Sequence, residues 1–112
     1  MNRRLVKKIP SRYKGFKVEI AEILQPVAAW EIEKLILIEK DFADAVKKFG
    51  IPKRLLEGIL EHEIAERKIS LEENISPEEA HEKLLKSKKW RALEKEVEKW
   101  VKIHLGEDYI IT

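Results

Sequence analysis

The sequence predicts a mainly α domain, a compact bundle of four or five helices, and three observations carry that expectation. Apolar residues recur at helical spacing in two long stretches, Leu55, Leu56, Ile59, Leu60 and Ile64, and then Trp90, Leu93, Val97, Trp100 and Val101. Residues that start or stop helices bracket these stretches: Pro52 and Ser76-Pro77 at the starts, Gly50 and Gly106 at the stops. Period-two alternation is short, confined to Phe16, Val18 and Ile20.

From the N-terminus, residues 1–17 carry Arg3, Arg4, Lys7, Lys8, Arg12, Lys14 and Lys17 and no acidic group. This reads as a basic arm over residues 1–15, suited to phosphate contact, followed by a single helical domain over residues 16–112. Phe16 to Ile20 fits a short strand as well as one face of a helix, and the strand is the reading taken. Gln25-Pro26 marks a boundary, so a helix is expected from Pro26 through Trp30, Leu35 and Ile38 towards Lys40. Asp41 is the expected N-cap of a helix from Phe42 to Phe49 that ends at Gly50. Pro52 opens the next helix, expected to reach about Lys68.

Two near-repeats follow, Ile69-Ser70-Leu71-Glu72-Glu73 and Ile75-Ser76-Pro77-Glu78-Glu79. Each sets Glu three residues after Ser, the spacing at which hydroxyl and carboxylate cap each other's free backbone N–H. The second starts a helix from Pro77 through Leu85, broken near Ser87. A last helix runs through His104 to Gly106. The β-favouring tail Tyr109-Ile110-Ile111 is expected to pair with Phe16–Ile20 as a small two-stranded element, or to dock on a partner.

Composition excludes several classes of function. With no cysteine there is neither a disulfide framework nor a thiolate zinc site. The expected setting is the cytoplasm, since no apolar run approaches the roughly 20 residues needed to span a bilayer. Abundant Lys, Glu and Ile with few amides is the composition of heat-adapted proteins. In such chains charges are scattered for ion pairing, which weakens any argument from one charge cluster.

Residues 42–61 carry the clearest motif. Counting from Phe42, Ala45, Phe49, Ile51, Leu55 and Ile59 are apolar where two helices meet at a steep angle, and Gly50 falls at the turn. This stretch resembles the helix-turn-helix superfamily, although Val46 replaces the usual small residue and Pro52 the usual Ser or Thr. The resemblance implies a small DNA-binding regulator, acting as a homodimer because operators mirror two-fold symmetry. Lys53 and Arg54 would head the recognition helix, Lys47 and Lys48 would lie near the DNA backbone, and the arm residues Arg3, Arg4, Lys7, Lys8 and Arg12 would anchor phosphates. Glu57 and Glu61 on the same helix oppose this. The alternative is a helical protein-interaction module, an accessory subunit or antitoxin-like partner, favoured by the net negative charge of residues 57–82.

Other constellations point away from chemistry. Lys86, Lys88, Lys89 and Arg91 surround Trp90, but Trp90 continues an apolar stripe and the cations read as helix surface. Glu78 and His81 have Glu-x-x-His spacing, yet a di-iron bundle needs that motif twice. His62-Glu63 lacks the second His of the zincin pattern, its place being taken by Glu66. The expectation is therefore no metal centre, no cofactor and no enzyme: no serine sits in a nucleophile elbow and no glycine-rich loop cradles phosphate.

Overall fold

The computed structural model describes residues 4–106 and Tyr109. In chain order the elements are β1 (Leu5–Val6), β2 (Arg12–Tyr13), β3 (Phe16–Ala21), β4 (Ala28–Glu31), β5 (Leu35–Glu39), α1 (Lys40–Phe49), β6 (Ile51–Pro52), α2 (Lys53–Glu73), α3 (Pro77–Leu84) and α4 (Lys88–Leu105). Four strands form one sheet in the order β2-β3-β5-β4, with β3 parallel to β5 and the other neighbours antiparallel. The fold is thus α+β, which corrects the expectation of a mainly α bundle.

The error lies at residues 26–39, where one helix was expected. Trp30, Leu35 and Ile38 match a helical face, but the run Leu35-Ile36-Leu37-Ile38 is apolar on every side and supplies no polar face for a helix on the surface. A central strand accepts such a run, because both of its edges are paired and one face is buried under the helices. Ile36 and Ile38 are wholly buried, and Leu35 and Leu37 are half-buried on the opposite face. Lys34, at φ 58°, turns the chain between β4 and β5. The β3 segment is a strand as expected, but β2 and β5 occupy its two edges. The expected pairing with the tail is therefore replaced, and Ile110 and Ile111 lie outside the described residues.

Helices α1, α3 and α4 follow the local signals closely, whereas α2 runs to Glu73, past the expected end near Lys68, so that Ser70 lies inside it instead of capping a new helix. Glu39 rather than Asp41 caps α1, its carboxylate accepting the Phe42 N–H at 3.0 Å. Gly50, at φ 81°, ends that helix and turns Ile51–Pro52 alongside Leu5–Val6. Lys53 N–H then donates to the Arg4 carbonyl at 2.9 Å, so the N-terminal segment is stitched to the α1–α2 corner. The helices cover one face of the sheet, where Phe16, Val18, Ile36 and Ile38 meet Phe42, Val46, Leu60 and Val101. Trp100 closes the core with its ring edge-on to Phe42 at 5.3 Å and its Nε1–H on the Gly50 carbonyl. Among the described residues no helix is long and apolar enough to cross a membrane.

Helix α2 is pinned to the β2–β3 turn by Glu61, which accepts hydrogen bonds from the Lys14 ammonium and, at 2.7 Å, from the Tyr13 hydroxyl. These donors, Lys14 foremost, hold the Glu61 carboxyl below the usual carboxylate range. A carboxylate favoured in this way stabilises the fold above its unfolded-state titration, and the stabilisation fades as pH falls through the depressed folded-state titration. Because the side chain is partly exposed, Glu61→Gln is expected to cost only about 0.5–1 kcal/mol at pH 7. Denaturant titrations should show the difference from wild type shrinking below about pH 4.

Candidate metal centre

Helix α2 carries His62-Glu63-Ile64-Ala65-Glu66, and the i, i+4 spacing sets His62 and Glu66 on one helix face. The end of α2 then decides what they meet. Asn74 adopts a left-handed conformation at φ 55° and closes the helix, and Ser70 Oγ donates to the Ile75 carbonyl at 2.6 Å. The Ser76–Glu79 capping box launches α3 at Pro77. The chain therefore doubles back along α2 and returns His81 to its partners. His81 Nδ1 lies 3.1 Å from Glu66 Oε2, and His62 Nδ1 lies 3.8 Å from the same oxygen. One ring nitrogen from each histidine and one carboxylate oxygen of Glu66 all fall within 4.8 Å of one another.

Two donors on a tetrahedral zinc with bonds of about 2.1 Å stand roughly 3.4 Å apart. The two separations to Glu66 bracket that value. Two imidazoles and one carboxylate are moreover a donor set that catalytic zinc sites use, with a fourth position open. The residues present thus fit a zinc ion.

Neighbouring groups orient these three donors. Trp30 Nε1–H, projecting from β4, donates to Glu66 Oε1 at 3.2 Å and leaves Oε2 turned towards the histidines. On the far side of His81, Nε2 lies 3.0 Å from Glu94 Oε2 on α4. A carboxylate on the second nitrogen of a histidine fixes its tautomer and raises its basicity as a ligand. Trp90 packs its ring edge-on to His62 with centroids 5.5 Å apart.

Glu63 is the fourth member of the cluster and is only 8% exposed. Its burial pushes the carboxyl above the usual range against the pull of His62. Burial works against a charged His62, but the carboxylates of Glu63, Glu66 and Glu94 outweigh it and raise the imidazole above its ordinary range. Burying two glutamates one turn apart costs stability unless a positive charge balances them. A bound divalent cation would supply that balance.

The cluster lines a cleft of about 1250 Å³, walled by β4 and by α2, α3 and α4. Strand β4 is the edge of the sheet. Glu39 N–H donates to the Val27 carbonyl at 2.9 Å. Alternation along an antiparallel ladder therefore turns the backbone groups of Ala28 and Trp30 away from β5, onto the free edge. Comparison with protein-family models, curated proteins and solved structures finds no match to this chain.

Of the residues expected to touch DNA, none of the described ones lines the cleft. Lys53 pairs with Glu57 at 3.5 Å and Arg54 with Glu96 at 2.7 Å. Lys47 and Lys48 are exposed in the last turn of α1, with the Lys48 ammonium over the Phe49 ring. Arg4, Lys7 and Lys8 are exposed near β1, Arg12 is exposed in β2, and Arg3 lies outside the described residues. Arg91 caps α3 by donating to the carbonyls of Leu85 and Lys86. His104 Nδ1 bonds the Trp100 carbonyl at 2.8 Å, one turn back within α4.

Sequence reasoning set the metal aside because Glu66 stood where the zincin pattern has His. Ligand chemistry asks only for a donor four residues on, and a glutamate is one. His81 carried no such local signal, since its return depends on the Asn74 turn.

Proposed function

We propose that this protein is a metal-dependent hydrolase of peptide bonds, with His62, Glu66 and His81 holding a zinc ion and Glu63 acting as general base. The convergence of the three donors beside the buried carboxyl of Glu63 carries this reading. A zinc ion there would supply Lewis-acid polarisation of the carbonyl and a water of lowered pKa. Glu63 takes a proton from the attacking water, whose oxygen bonds to the carbonyl carbon. As the C–N bond breaks, the same carboxyl returns the proton to the departing nitrogen, giving a carboxylic acid and an amine.

The free edge of β4 supports a peptide as substrate. An extended chain laid against it would pair with the amides of Ala28 and Trp30 and run past the cluster. Hydrolysis of this kind needs neither a nucleophilic side chain nor a phosphate loop, so it departs from the sequence expectation of no enzyme without contradicting the inventory behind it.

DNA binding through residues 42–61 draws less support, because Lys53 and Arg54 already have carboxylate partners and the mouth of the cleft is acidic. The deciding experiment is calorimetric titration of the metal-stripped full chain with zinc, followed by assay of the loaded protein on a fluorogenic peptide library. One zinc per chain and metal-dependent cleavage is the expected result. No saturable zinc binding would leave the cluster as an ion-pair network and overturn the proposal.

A further inference from the structure

Among the described residues the cleft around the cluster is lined by eight glutamates, Glu63 and Glu66 included, and by no lysine or arginine. In a chain with 23 Lys and Arg against 21 Asp and Glu, that segregation stands out. Two rows of it sit at i, i+4 spacing, Glu78 with Glu82 on α3 and Glu94 with Glu98 on α4. Like charges at that spacing destabilise a helix by a few tenths of a kcal/mol.

Glu94 has His81 as its partner, and Glu78 sits in the first turn of α3, where the helix dipole favours a negative charge. Neither reason extends to the others. Glu82 lies in the last turn of α3, where the dipole opposes it, and neither Glu82 nor Glu98 has an ion pair among the described residues. Glu33, in the turn that follows β4, has none either. These three charges have no ion-pair partner among the described residues, and they line the groove in which β4 presents unpaired amides.

We infer that the cleft selects extended peptides carrying lysine or arginine side chains, held through Glu33, Glu82 and Glu98 while the backbone lies along β4. The inference rests on the hydrolase reading for what then happens to the peptide, but not for the docking itself. The carboxylates stand on three separate elements along the groove, so a row of cationic side chains answers them better than one compact ion.

The test separates binding from cleavage. Zinc-loaded full-length Glu63→Gln is titrated with fluorescein-labelled peptides of one length whose variable positions are Lys, Gln or Glu. The Lys peptide should bind at least about tenfold tighter than the Gln peptide and the Glu peptide weakest, with the gap narrowing as salt is raised from 0.05 to 0.5 M. The triple variant Glu33→Gln, Glu82→Gln, Glu98→Gln, made in the same background, should lose that preference while taking up the same amount of zinc. Equal affinity for the three peptides, or a preference unchanged in the triple variant, would overturn the inference. Selective binding by Glu63→Gln alongside failure of zinc-loaded wild type to cut the Lys peptide would keep the docking and sink the hydrolase reading instead.

Discussion

Glu63→Gln is expected to lower peptide hydrolysis by about 10²–10⁴-fold, the range that a positioned general acid–base contributes. Zinc affinity should change little, because Glu63 is not among the three converging donors. The amide occupies nearly the same volume, so the buried site keeps its packing. Glutamine cannot accept the proton that the carboxylate takes from water, and the loss should therefore fall on kcat rather than on KM. Single-turnover kinetics on the zinc-loaded protein, paired with zinc titration, checks both halves. A variant that still cut peptides at the wild-type rate would remove Glu63 from the mechanism.

The second large effect concerns the ligands. His81→Ala and Glu66→Ala should each lower zinc affinity by more than the roughly 10–100-fold that loss of an outer-shell partner costs, and each should abolish hydrolysis. Glu66→His offers the informative contrast. It completes the spacing of two histidines four residues apart on one helix, so zinc binding should survive or tighten. Trp30 would then have no carboxylate to hold. If only charge mattered at position 66, the histidine variant would fail as badly as the alanine one. Zinc should also protect the wild-type fold: at a hundred times its dissociation constant a ligand adds about 2.7 kcal/mol, or roughly 10 °C in the melting temperature of a chain this size. Differential scanning fluorimetry with and without zinc reads this directly, and none of the alanine variants should respond.

Much of the helical half of this protein was legible without a structure, because the signals that start and stop a helix act within a few residues of it. Ser76-Pro77 and Glu79 form their capping box within a single turn, and Gly50 and Gly106 end α1 and α4 at a positive φ that glycine adopts at no steric cost. The stripe through Leu55, Ile59 and Leu60 finds the core for the same local reason.

Residues 26–39 were different. Their apolar spacing satisfied a helix and a strand equally, and the balance was tipped by β3, whose parallel pairing with β5 joins Lys17 to Leu35 and Ala21 to Glu39. No window of a dozen residues contains that partner. The site divides along the same line. His62, Glu63 and Glu66 share a face of one helix, so their proximity could be read from spacing alone. His81 reaches Glu66 from 15 residues away only because Asn74 reverses the chain, and Trp30 reaches it from 36 residues away only because β4 lies at the sheet edge beside α2. Local propensity therefore set the helices and two of the three ligands. The burial of the sheet against the helices, a property of the whole chain, brought in the remaining ligand and the groups that orient it.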